Sequence, residues 1–172
     1  MLPKEQHVVN IARPAPVSSP AGQAFTTLLM RVFPLNDRLT AAGEELARTG
    51  GQTLARWLVL EAVQDAPATV ADIARVTGHA RQGVQRLADA LVASGAASYE
   101  TNPRHRRASL LQITNEGTAN LRIIQAAQRV WADRLGAELG KAALDRASDL
   151  LCRAEQLVAQ GLAERPDLDN ET

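Results

Sequence analysis

Residues 69–78 read TVADIARVTG and residues 80–95 read ARQGVQRLADALVASG, and this pair decides the fold. In the first, Val70, Ile73, Ala74 and Thr77 recur at helical spacing. Thr69 is a good N-cap, with Asp72 at N3 in a capping-box-like arrangement, and Gly78–His79 marks a turn. In the second, Val84, Leu87, Ala88, Leu91 and Val92 form the apolar stripe of a helix with one face in a core. Its other face carries Arg81, Gln82, Gln85, Arg86 and Asp89, and Gly95 closes it at the position that favours a left-handed backbone.

Residues 97–101 and 109–114 are short strand-like runs, so the pair of helices leads into a two-stranded ribbon. Its tip is Asn102-Pro103-Arg104-His105-Arg106-Arg107. Asn-Pro signals a turn. Three arginines and a histidine there do not fill a core. A helix-turn-helix followed by a basic hairpin is a winged helix, whose second helix is built for the major groove and whose wing reaches phosphates or the adjacent minor groove.

This stretch resembles the MarR family of bacterial transcription regulators. The likeness rests on the T-x-A-D-I-A-R opening at Thr69, the V-x-R-L-A-D-x-L helix from Val84, and the N-P-R-H-R-R wing leading into L-x-I-T-N-E-G at Gly117. It extends over residues 24–161. Two features depart from the family pattern: His105 stands where an Asp is usual, and Ala96-Ala97 stand for Leu-Val.

Composition agrees with a helical protein. Aromatics make up 3% of the 172 residues, so Ala and Leu carry the packing, which favours helices over sheets. The formal net charge is zero, yet residues 69–114 hold six arginines against three carboxylates. Residues 115–172 hold seven basic side chains against ten acidic ones. A basic middle fits a local surface facing a polyanion. Cys152 is the one cysteine, so no internal disulfide forms, and its place on a helix suggests a buried structural thiol. No apolar run suits a bilayer span or a signal peptide, which points to the cytoplasm.

Outward from the centre, residues 1–22 hold four prolines and few large apolar side chains, and read as a flexible arm. Its role stays open between wrapping a partner subunit, touching DNA through Lys4 and Arg13, and none at all. Residues 23–48 read as a long helix in which Pro34 marks either a kink or the junction of two helices, ended by Gly50-Gly51. Thr53 opens a further helix that puts Trp57, Leu58, Leu60 and Val63 mostly in the core. After the wing, helices run to about Leu139 and, beyond Gly140, along Leu144, Ala147, Leu150, Leu151, Ala154, Leu157, Val158 and Leu162.

The expected fold is mainly α with a small β-hairpin wing. A winged helix-turn-helix DNA-binding region spans 52–114, helical dimerisation regions span 23–50 and 115–163, and a polar tail spans 164–172. The terminal helices carry more apolar face than one small winged helix covers. The resemblance implies that they intertwine with a second copy, whereas periodicity alone does not separate a dimer seam from an intrachain bundle.

No histidine or cysteine falls in a metal-ligand spacing, and no nucleophile elbow, phosphate loop or dinucleotide fingerprint occurs. The expectation is therefore no enzyme, no metal and no cofactor. The resemblance implies a regulator that binds double-stranded DNA as a homodimer, a repressor released by a small aromatic or phenolic effector. The expected DNA-facing residues are Arg81, Gln82, Gln85 and Arg86 on the helix, and Arg104, His105, Arg106 and Arg107 on the wing. Arg matches the guanine O6/N7 edge and Gln the adenine N6/N7 edge. For Phe33, Trp57 and Trp131, core filling is the default for the tryptophans, and an effector pocket is the functional reading. The competing function is a winged-helix protein-interaction module without specific DNA binding.

Overall fold

The computed structural model describes residues 19–103 and 108–163. The chain divides into two compact units, Met1–Ala42 and Gly43–Thr172. The described part of the first is the leading stretch of helix α1 (Pro20–Thr49). α1 starts three residues before the expected Gln23. Ser19 is its N-cap, its hydroxyl accepting from Gly22 N at 3.1 Å, and Pro20 takes the first helical position, where a missing N–H costs nothing. Pro34 lies inside α1, so it does not mark the junction of two helices. In this unit Met30, Phe33, Leu35 and Leu39 are exposed.

The second unit takes the end of α1, then α2 (Leu54–Ala62), α3 (Val70–Thr77), α4 (Arg81–Ala93), α5 (Asn115–Leu139) and α6 (Lys141–Ala163), with strands β1 (Ala68–Thr69), β2 (Ala97–Glu100) and β3 (Leu110–Ile113). α2 is capped twice. Thr53 Oγ1 accepts from Arg56 N at 3.3 Å, and Glu44 Oε2 accepts from Leu54 N at 3.1 Å. Gly43 admits α2 this closely, since a Cβ there would stand 2.9 Å from Leu54 Cδ1.

The main core joins Leu60 of α2, Ile73 of α3, Val84 and Leu91 of α4 and Leu111 of β3, all nearly inaccessible. A second cluster holds Ala47, Trp57, Leu121 and Ile124. Leu58, expected among the core residues of α2, is instead exposed, because it falls on the side of the helix away from Trp57 and Leu60. Thr69 caps α3 as expected, accepting from Asp72 N at 3.2 Å, and Gly78 ends it with φ +69°. Gly95, at φ +80°, follows the end of α4 in the same way.

The sheet is antiparallel and three-stranded, in the order β1-β3-β2. The expected two-stranded ribbon is thus one strand short. β1 is only two residues long, directly after Pro67, and its Thr69 also begins α3, so no alternating pattern announces it. Leu111 pairs with Ala68 on one side and Tyr99 on the other.

Two glycines seat α5. A Cβ on Gly117 would lie 2.0 Å from Ala96 O, and one on Gly50 would lie 2.5 Å from Asn120 O. Thr114 fixes the start of α5, its hydroxyl donating to Gly95 O at 2.7 Å and accepting from Gly117 N at 3.1 Å. α6 leaves Leu150, Leu151, Leu157 and Val158 exposed. Cys152 is exposed too, contrary to the expected buried thiol, because α6 covers little of this chain's own core. Among the described residues no helix is long and apolar enough to cross a membrane.

Candidate nucleic-acid interface

α4 turns Val84, Ala88 and Leu91 inward, which leaves Arg81, Gln82, Gln85, Arg86 and Asp89 exposed on one surface. All four expected helix contacts therefore share that surface. The expected wing contacts, Arg104, His105, Arg106 and Arg107, lie outside the described residues. The strands on either side of them are β2 and β3.

The start of α4 has no side-chain cap. Its N-cap is Ala80, which has no hydroxyl or carboxylate to offer. The first-turn N–H groups and the positive end of the helix dipole are thus left for an external acceptor. His79, in the turn, does not cap α4 either. Its Nδ1 lies 3.0 Å from Thr77 O, so it closes α3 instead. Gly83 has open space around it, since a Cβ there would meet nothing within 4 Å. Glycine in a helix interior costs up to about 1 kcal/mol against alanine, and here no packing within the chain demands it.

A polar triad joins α4 to the wing. Tyr99 Oη donates to Asp89 Oδ1 at 2.7 Å, Gln85 Nε2 donates to Asp89 Oδ1 at 2.9 Å, and Gln85 Nε2 donates to Tyr99 Oη at 2.8 Å. Burial, and then the Asp89 carboxylate, push the Tyr99 phenol up to about 12. Asp89 is thereby occupied by β2. Across the strand pair, the side-chain amide of Gln112 faces the Glu100 carboxylate. Arg75 does not face outward alone, but pairs with Asp72 at 2.8 Å. The Thr69 hydroxyl, above all, holds the Asp72 carboxylate below its ordinary range; burial opposes it, and Arg75 adds to the lowering.

Between α3, α4 and the wing lies a cavity of about 300 Å³, lined by Thr69, Val70, Arg81, Gln85, Tyr99 and Ser109 among others. Sequence reasoning named Arg81 and Gln85 but missed Tyr99, which reads as an ordinary strand residue. No spacing rule connects it with Asp89, because the turn at Gly95 brings the two together.

Of the three aromatic candidates, Phe33 lies in the first unit and Trp57 and Trp131 in the second. Trp57 is 6% exposed, packed with Ala47, Leu121 and Ile124, and its Nε1 donates to Glu61 Oε1 at 2.8 Å. It is core, with its one polar group satisfied. Trp131 lines a shallow depression of about 420 Å³ with Ala127, Val130 and Arg134, in which Trp57 takes no part. Phe33 belongs to the first unit and is exposed. Among the described residues no three His, Cys, Asp or Glu side chains converge as a metal site would require.

The family model described as MarR family matches residues 51–108. Two uncharacterized mycobacterial proteins, Mb2034c of Mycobacterium bovis and Rv2011c of Mycobacterium tuberculosis, are each 40% identical over 139 residues, which covers 81% of this chain and 95% of theirs. Among solved structures, a MarR family transcription regulator superposes with a TM-score of 0.78 at 20% identity, over 83% of this chain and 95% of that one. A mutant MarR of E. coli complexed with operator DNA superposes with a TM-score of 0.69 at 20% identity, over 79% and 99% of the two chains.

Proposed function

The chain belongs to the MarR family, and on that premise we propose that it is a non-catalytic transcription regulator that binds a (pseudo)palindromic operator as a homodimer. The observation that carries this reading is the exposed surface of α4. Arg81, Gln82, Gln85 and Arg86 stand together beside an uncapped helix start and a glycine with open space around it. Such a surface suits the major groove, with base edges meeting the Arg and Gln side chains and phosphates meeting the first-turn N–H groups. To Arg104, His105, Arg106 and Arg107 the proposal gives contacts mainly with phosphates. The E. coli relative complexed with operator DNA supports the same use of the fold.

The homodimer is supported by the exposed apolar stripe of α6, where Leu150, Leu151, Leu157 and Val158 call for a partner. The regulator acts as a repressor that a small aromatic or phenolic ligand releases. The half-buried Trp131 and its depression are the candidate contact for that ligand.

Fluorescence anisotropy with purified protein tests the reading. Duplexes carrying the DNA upstream of its own gene should bind more tightly than random duplexes. Affinity for both should fall steeply as salt rises. Equal and weak binding to both, independent of salt, would identify a protein-interaction module instead.

A further inference from the structure

The exposed polar side chains of α4 are Arg81, Gln82, Gln85, Arg86 and Asp89. At about 3.6 residues per turn they fall within an arc of about 140°, with Asp89 near its middle. A surface offered to a polyanion thus carries a carboxylate at its centre. No cation answers that charge: among the described residues Asp89 forms no ion pair. The two groups bonded to it are neutral. Tyr99 Oη donates to Asp89 Oδ1 at 2.7 Å, and Gln85 Nε2 donates to the same oxygen at 2.9 Å. These bonds anchor the carboxylate without cancelling it. An untethered aspartate would swing aside as a phosphate approached, whereas this one is tied across to β2. Asp89 also comes just over two turns after Arg81, about 12 Å further along the axis. The first residues of such a helix meet base edges, and a side chain that far on faces the phosphates that wall the groove. At about 4 Å from a phosphate in water, a carboxylate lowers affinity about fivefold, and more where water is excluded.

We propose that Asp89 determines specificity by repulsion. It penalises every seat of α4 that brings the third turn of the helix against a phosphate, and so favours the operator without touching a base. The inference rests on the DNA-binding reading above. Binding to random DNA is almost wholly attraction to phosphates, so a fixed negative charge on the interface weakens it directly. At the operator, base contacts by Arg81 and the glutamines hold the helix in one seat, and the carboxylate counts for less there. Discrimination is a difference of affinities, and an element set against the wrong partner widens it.

Fluorescence anisotropy with the full chain tests this, on duplexes from upstream of its own gene and on random duplexes. The proteins compared are the parent, Asp89→Asn, Asp89→Ser and Asp149→Asn. Asparagine keeps an oxygen for Tyr99 and Gln85 to bond and removes only the charge. Asp149 is exposed on α6, so its variant makes the same change in net charge on another helix. Asp89→Asn should bind random duplexes about fivefold more tightly than the parent, and upstream duplexes by less than about twofold, so that discrimination narrows. The gain should fade as salt rises and screening shortens the reach of the charge. Asp149→Asn should bind as the parent does. Asp89→Ser removes the same charge with a different side chain and should repeat the result, so the test stands if one variant is unstable. No gain, an equal gain on both duplexes, or a gain that Asp149→Asn matches overturns the inference and leaves the regulator standing. Weaker binding to both duplexes also overturns it, since Asp89 would then be holding a cation that the DNA needs. A parent that does not prefer the upstream duplexes overturns the regulator reading and the inference with it.

Discussion

Gly117 and Ala96 meet backbone to backbone: a Cβ on Gly117 would stand 2.0 Å from the carbonyl oxygen of Ala96. The same Cβ would stand 2.9 Å from Ile113 Cγ1. The contact sets α5 directly on the turn that follows α4, so the glycine of the T-N-E-G run has a steric duty. Gly117→Ala should destabilise the fold by about 1–3 kcal/mol or more, since the neighbour it strikes is backbone and yields little. Urea denaturation of the two proteins measures this. Equal midpoints would mean that α5 is not seated where described.

Gly83 is the opposite case. A Cβ there meets nothing, so Gly83→Ala should raise stability by about 0.5–1 kcal/mol through helix propensity. If the surface of α4 lies in the major groove, the added methyl should also lower operator affinity, by about tenfold. Stability rising while affinity falls separates a functional glycine from a structural one. Unchanged affinity would place Gly83 off the DNA.

Tyr99 makes alkaline stability a sensitive readout. Its folded pKa of about 12 lies above the ordinary 10.0, because burial and Asp89 disfavour the phenolate. The protonated form is therefore the one the fold favours. That contribution is complete below pH 10.0 and is lost as pH rises toward 12. Tyr99 is the chain's one tyrosine, so tyrosinate absorbance reports it without interference. The melting temperature of the parent should fall through this window more steeply than that of Tyr99→Phe. Parallel curves would show that the Asp89 contact does not form in solution.

Asp72 has the opposite sign. The Thr69 hydroxyl, and then Arg75, hold its carboxyl below the ordinary 3.8. The stability this gives is present above pH 3.8 and is lost as pH falls through the depressed folded value. Asp72→Asn should therefore lower the melting temperature at neutral pH and flatten the acid limb of the profile. A variant whose acid limb matches that of the parent would remove Asp72 from the start of α3.

Helix boundaries set by local chemistry were legible from the residues. Thr69, Thr53 and Thr114 cap because a hydroxyl reaches the N–H two or three positions on, and Gly78 and Gly95 end helices because they take positive φ. The stripe Val84, Ala88 and Leu91 announced which side of α4 is inward, and therefore which side carries Arg81 and Gln85. What sequence reasoning missed depends on partners distant in the chain. β1 exists only because Leu110 and Leu111 lie beside it. The exposure of Cys152 and Leu58 depends on which neighbours the helices find, and periodicity ranks faces without naming them. Gln85 was legible as an exposed polar residue of α4, but its bonds to Asp89 and Tyr99 were not.

Thr69 is at once the last residue of β1 and the cap of α3, with no linker between. β3 is clamped on its other edge by β2, whose Tyr99 is bonded to α4. The stem of the wing is therefore a cantilever with a built-in end, not a hinged flap. A load applied at its tip is delivered to the start of α3 and to the outer surface of α4 together. Anything that shifts this wing against its helices has to break a strand pair or the Tyr99–Asp89 bond first, so the parts that would touch DNA move as one lever.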